Sequence, residues 1–306
     1  QHGQLADAAS ILAEMTRRIG AMRTGRPGIE LTYLEALVDL GQDRYEAGSK
    51  NLARALAAQA GASLRNFQIA RANMLYDAGD MSARVAPEVY APMLADPSPS
   101  DWALRTLDTL AVLQTPHEDA FTRWFAAALE RKDAALALEV SERTKRARFL
   151  SSLPLGGRLL ALRAVLEAPA SELGNAEKLE RQQLLAAFPD YQELAETGAS
   201  LSQQLRSGPI VPKDAAAGQA INDMLAALKD NTDARERMLV DMALSTVPST
   251  FVFPPLRSIE ELQAALAAGG AVVVFYPAGG KLFGFVVSGQ ALHVWPLGEE
   301  RAAERE

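Results

Sequence analysis

The sequence predicts a mainly α-helical protein that carries a small three-stranded β-meander near its C-terminus. Three observations lead there. The composition is 48% apolar but only 6% aromatic, so alanine and leucine must fill the core, as they do where helices pack closely. Over most of the 306 residues, apolar positions recur at helical spacing between breaks made of Gly, Pro and Asp. Only Ala271–Tyr276, Leu282–Ser288 and Ala291–Pro296 are dense in Val, Phe and Trp, with Gly279-Gly280 and Ser288-Gly289 between them as tight turns. At least about two thirds of the ordered chain should therefore be helical, with strands confined to Ala271–Leu297.

In chain order, a first helical pair is expected over Thr32–Leu40 and Tyr45–Ala60, broken near Gly41, with Ala53, Ala57 and Ala60 along one face as small residues that let helices approach. A second pair covers Leu64–Ala78 and Ser82–Leu94, with Gly79 in the turn and Asp96-Pro97 closing the unit. A third covers Ser100–Gln114 and Pro116–Glu130; there Thr115 can cap, Pro116 suits the first helical position and Glu118 completes a capping box. A long helix, Ala134–Leu150, follows Arg131-Lys132-Asp133. Such helix-turn-helix units look like degenerate tetratricopeptide repeats. Measured from Gly41, the alanines fall at the repeat's small-residue spacing, while Leu37 stands where the motif prefers Trp. Measured from Pro97, Tyr76 falls at the aromatic position and Asn73 replaces the motif's Gly.

Leu153-Pro154-Leu155-Gly156-Gly157 then breaks the array. Helices are expected over Arg158–Glu167, Ala176–Ala187, Tyr191–Arg206, Asp214–Lys229 and Asp233–Leu244, with the turn formers of SGPIVPKD and KDNTD between them. A short helix before the strands is capped by Ser258, with Glu261 completing its box. The expected regions are a repeat array over 1–153, a helical linker bundle over 154–250 and a sheet region over 251–306. Three strands need cover on their apolar faces. The linker helices are expected to supply one cover, and a continuation of the final EERAAERE, eight strong helix formers, the other.

Two segments carry a family resemblance. The run ALEVSERTKRARFLSSL, Ala137–Leu153, resembles the helix that joins tetratricopeptide repeats to a CHAT domain, with its Glu-Arg pair, Arg-Ala-Arg and leucines. The later LRSIEELQAAL and AVVVFYPAGGKLFGFVVSGQALHVWPLG resemble the opening helix and strands of that domain. CHAT domains are caspase-like and separase-like cysteine peptidases. The resemblance spans about two thirds of the chain in order and spacing, and it implies that the meander begins an α/β caspase-like domain. The family's His and Cys are expected beyond the first strands, and no cysteine occurs in this chain; none of its histidines matches a catalytic position.

The residues offer little chemistry of their own. Without cysteine there is no disulfide, thiolate metal site or cysteine nucleophile. His2 falls in a terminus expected to be unstructured, His117 follows Pro116, and His293 sits in the third strand on the face of Ala291 and Trp295. Phe275 stands where a phosphate loop before Gly280-Lys281 needs Gly, and Phe121 stands where a zinc helix begun by His117-Glu118 needs its second His. No catalytic, cofactor-binding or metal-binding residue is assigned, and no cofactor is expected.

The net charge of −7 argues against a nucleic-acid surface, and the basic cluster Arg143–Arg148 in SERTKRAR reads as one solvated helix face. No apolar run approaches the roughly 18 residues of a membrane span, so no membrane partner is expected. The first residues lack a signal peptide's basic and apolar regions. The expected location is cytoplasmic, with export left open; the chain begins at Gln1 rather than Met, which fits a processed protein or an excised segment alike.

The expectation is thus the non-catalytic recognition and regulatory part of a bacterial-type tetratricopeptide–CHAT protein, binding peptides or proteins through the array and self-associating through the sheet region. The alternative is a complete interaction adaptor whose sheet is degenerate.

Overall fold

The computed structural model describes residues 2–19, 25–209, 211–245 and 250–299. Among them lie thirteen helices and one antiparallel sheet, and 70% of the structure is helical, above the fraction that the periodicity implies. The helices are α1 (His2–Ile19), α2 (Gly25–Gly41), α3 (Tyr45–Ala62), α4 (Leu64–Asp77), α5 (Ala86–Met93), α6 (Pro99–Leu113), α7 (Glu118–Glu130), α8 (Ala134–Ser151), α9 (Arg158–Glu167), α10 (Asn175–Ala187), α11 (Asp190–Ser207), α12 (Ala215–Leu244) and α13 (Ile259–Ala265). The strands are β1 (Ala271–Ala278), β2 (Lys281–Ser288) and β3 (Leu292–Glu299), in the order β1-β2-β3. The EERAAERE run lies outside the described residues beyond Glu299.

Two compact units divide the chain. One comprises Gln1–Ala55, Pro97–Thr109 and Arg158–Phe253; the other comprises Leu56–Asp96, Leu110–Gly157 and Pro254–Glu306. Residues 1–153 are thus shared between both.

In the first unit, α1 packs on α2 around Leu12, Leu31 and Val38, and α12 packs on α11, α9 and α2. The break expected at KDNTD is absent: α12 runs unbroken through it. Its turn formers are bound into the helix instead. Asn231 is buried and donates Nδ2–H to the Leu194 carbonyl of α11 at 2.9 Å, Thr232 donates to Leu228 O at 2.8 Å, and Lys229 pairs with Asp233 at 2.6 Å. The propensity of Asn and Asp for turns comes from hydrogen bonds their side chains make to nearby backbone; here neighbours have claimed those groups. Gly198 lets α11 come this close, since a Cβ there would lie 2.5 Å from Asn231 Oδ1. Elsewhere in the unit, Glu180 accepts from the Thr250 and Phe251 amides at 3.2 and 3.5 Å, and Arg158 stacks on Trp102 with 4.0 Å to the ring centre.

The second unit is built on two helical hairpins, α4–α5 and α7–α8, with α7 seated on α4 and α5. Three expectations change here. The principal partner of α7 is α8 rather than α6. Thr115 does not cap α7; its hydroxyl donates back to Ala111 O at 3.0 Å, and the helix starts after His117, whose left-handed backbone (φ 51°) reverses the chain without a side-chain cap. On α3, whose residues are divided between the two units at Ala55, Ala53 and Ala57 point to solvent, while Leu52, Ala55, Leu56 and Gln59 are buried. Alanine spacing alone could not orient that helix, because alanine is accepted equally on either face.

The Pro154–Gly157 segment, a 3-10 turn, follows α8 and ends this unit's second segment. Gly156 and Gly157 both have positive φ, and a Cβ on either would collide with side-chain atoms of Leu113 and Leu150 respectively.

The meander belongs to the hairpins. Register pairs Phe275 with Gly284 and Tyr276 with Phe283, and on the other side Gly284 with Trp295 and Phe285 with Val294. Alternation sends Tyr276, Phe283, Phe285 and Val287 inward. Their cover is α7 and α8, not the linker helices expected to supply it: the Phe125 ring meets those of Tyr276 and Phe283 edge-on at 4.8 and 5.0 Å. Val273, Phe275, Trp295 and Leu297 point outward and are exposed. The Ser258 cap with Glu261 stands as expected, and Gly279-Gly280 turn β1 into β2 with φ of 57° and 74°.

Candidate functional site

One concavity of the second unit is a groove of about 580 Å³ along α4, bounded by Ala60 and by the Thr115–Ala120 segment that enters α7. Local hydrogen bonds hold its walls. Ser63 caps α4 by accepting from the Asn66 amide at 3.3 Å, and Asn66 Nδ2 donates to Ala60 O at 2.9 Å. Arg65 donates to the Met93 and Ala95 carbonyls, both at 2.7 Å, fixing α4 to the end of α5. The buried Tyr90 hydroxyl donates to Asn73 Oδ1 at 3.0 Å. Arg123 of α7 grips Asp77 of α4 through Nε and Nη2, at 2.8 and 2.6 Å.

Asn66, Ile69, Ala70 and Asn73 of α4 line the groove, with Glu118 and Asp119 opposite at the start of α7. Glu118 also pairs with Arg148 at 2.8 Å. Beside the groove, α4 turns Leu64, Phe67 and Met74 to solvent at 61%, 64% and 71% exposure. An amphipathic helix would hide such residues; α4 has its buried residues Ile69 and Ala72 on one side and a second apolar stripe on the other.

His117 borders the groove. Its Nε2 lies 3.2 Å from Val112 O; a carbonyl only accepts, so Nε2 carries the proton and Nδ1 is bare. Burial, and then the charge of Arg65, lower its pKa to about 4, against the opposing pull of the Val112 carbonyl. The imidazole is therefore neutral near pH 7. It is oriented by a carbonyl rather than by a carboxylate.

The other residues singled out in the sequence are dispersed. α1 already includes His2, where an unstructured terminus was expected. His293 is exposed on the outward face of β3, opposite Val286. The SERTKRAR cluster is not one solvated face: Ser141, Thr144 and Arg146 are buried, and Arg143, Lys145, Arg146 and Arg148 each hold a different carboxylate, on Glu139, Glu142, Asp96 and Glu118. Among the described residues, no group of three or more His, Asp or Glu could hold a metal ion, and no helix is long and apolar enough to cross a membrane.

The sequence pattern does not single out Asn66 or Phe67, and marks Asn73 only as a replacement for the repeat's Gly. A signal was present: Leu64, Phe67 and Met74 fall off the stripe of Ile69 and Ala72, and apolar residues on both sides of a short helix mark a second contact surface.

No family model matches the chain, and no curated protein or solved structure matches it either.

Proposed function

We propose that this chain is a non-catalytic recognition protein that binds a peptide or protein segment in the groove of its second unit. The observation that carries the reading is the exposed apolar stripe of α4, Leu64, Phe67 and Met74, flanking a groove whose carboxamides and carboxylates can fix a polypeptide backbone. The order of its segments further supports a place in a tetratricopeptide–CHAT cysteine-peptidase protein of bacterial type, with the groove as its regulatory input.

A display selection of random peptides on the chain tests this, with Phe67→Asp and Asn73→Arg as counter-selections. Enriched peptides should lose at least about tenfold in affinity for both variants, about 1.4 kcal/mol. Peptides that bind both variants as well as the parent would sink the reading.

A second reading, an interaction adaptor with a degenerate sheet and no peptidase activity, is favoured by one observation. The inner face of the meander is already covered by α7 and α8, with Phe285 and Val287 fully buried, as a sheet serving the helical unit would be.

A further inference from the structure

Thr115 and His117 also border a second cavity in the same unit, about 60 Å³, lined by the ends of α4 and α5, residues 112–117, α7 and α8. Its walls combine two chemistries. Arg65, Arg143 and Arg146 line it, with Asp96 as the one carboxylate among the lining residues, while Leu113, Phe121 and Leu150 supply apolar surface. The guanidinium groups are held in place by the fold. Arg146, only 8% exposed along its side chain, donates to Asp96 Oδ1 at 2.6 Å; Arg143 donates through Nε to Glu139 at 2.8 Å; Arg65 is anchored on the Met93 and Ala95 carbonyls.

Side chains held in this way lose little conformational freedom on meeting an anion, and apolar surroundings strengthen their field. The volume suits a few waters or one compact group. A phosphate would carry greater charge past Asp96 and leave the apolar wall without a partner. A carboxylate on a short apolar stem matches both halves.

We infer that this cavity is a carboxylate site, with the guanidinium groups meeting the carboxylate and Leu113, Phe121 and Leu150 surrounding its methylenes. The ligand is either a free short-chain acid or a glutamate side chain of a polypeptide. This site is separate from the peptide-binding reading of the groove and stands if that reading fails.

Methyl-labelled full-length chain, titrated and followed by nuclear magnetic resonance, tests it with four probes: butyrate, a blocked Gly-Glu-Gly tripeptide, inorganic phosphate, and chloride at matched ionic strength. Butyrate or the tripeptide should shift the Leu113 and Leu150 methyl signals saturably, and the tighter of the two identifies the source. Arg143→Gln should weaken that binding about tenfold or more. Ala147→Leu, which fills the cavity from α8, should abolish it; its unchanged methyl spectrum elsewhere would certify the fold. Tighter binding of phosphate, equal shifts by chloride, no saturable shift, or unweakened binding in both variants would each overturn the assignment.

Discussion

The hydroxyl of Tyr276 in β1 donates to Thr144 Oγ1 in α8 at 3.0 Å, across 132 positions of sequence and with both residues buried. Thr144 sends its own proton to Val140 O at 2.7 Å, so its oxygen is free to accept. Burial raises the Tyr276 pKa, and the phenol keeps the proton it donates. Removing the phenolic oxygen leaves Thr144 still bonded to α8, so Tyr276→Phe should cost about 1 kcal/mol. Thr144→Val strands a buried hydroxyl and should cost more, about 1–3 kcal/mol. Urea denaturation of the single and double variants would measure the coupling; additive effects would mean that the bond contributes nothing.

Phe125 is the contact on which the sheet rests, with Tyr276, Phe283 and Phe285 at 4.8, 5.0 and 6.2 Å between ring centres. Phe125→Ala leaves a void under all three rings and should destabilise the second unit by about 3–5 kcal/mol. Hydrogen exchange of the β2 amides should accelerate with it. Protection equal to the parent's would show that the sheet stands without α7.

Two glycine substitutions should move stability in opposite directions. Gly61 lies in α3 with nothing within 4 Å of an added Cβ, so Gly61→Ala should stabilise by about 0.5–1 kcal/mol through helix propensity. Gly198→Ala gains the same propensity but drives a methyl to 2.5 Å from Asn231 Oδ1 and 3.2 Å from Arg235, and its melting temperature should fall. Thermal unfolding followed by circular dichroism separates the two.

Acid should weaken the second unit through His117. Its folded pKa of about 4 lies below the ordinary 6.5, so between these values the unfolded chain binds more protons. Its contribution is complete above about pH 6.5 and is lost as pH falls toward 4, by up to about 3 kcal/mol. Asn tolerates a left-handed backbone. Stability of His117→Asn, measured across that range, should therefore decline less than the parent's; parallel curves would mean that His117 titrates alike folded and unfolded. The raised carboxyl pKa values of Glu180 and Asp241 act with the opposite sign, which is why the comparison with the variant is needed.

The outward sheet face should make the chain adhesive. Val273, Phe275, Trp295 and Leu297 are exposed together on paired strands, and apolar patches of this kind favour association. Phe275→Lys with Trp295→Lys should lower both self-association in sedimentation and the binding of a hydrophobic dye. Unchanged sedimentation and dye binding would assign any association to another surface.

The candidate groove was less legible in the sequence than the fold was. Its residues are ordinary ones, Asn66, Ile69, Ala70 and Asn73 at helical spacing, and nothing local distinguishes a carboxamide that faces a groove from one that faces solvent. The Thr115-Pro116-Glu118 pattern has the composition of a capping box and predicts a cap at Thr115, where the structure has a left-handed turn at His117. What decided the turn was a bond backwards, from Thr115 to Ala111.

The position and period of most segments are legible in the sequence. Arg158–Glu167 is a helix with the bounds its pattern indicates, the Ser258–Glu261 box forms, and the strands turn at Gly279-Gly280. These are local properties, settled within a few residues by propensity, capping and positive φ. Which surfaces pair is set at longer range. Both faces of the meander are apolar, Tyr276 and Phe285 on one and Phe275 and Trp295 on the other, so alternation alone could not choose which one is buried. Phe125 and Thr144 of the α7–α8 hairpin chose it, as Leu194 and Glu167 held α12 straight through Asn231 and Arg235. Burial and hydrogen bonding depend on what the rest of the chain brings to a surface, and no window of sequence around that surface contains it.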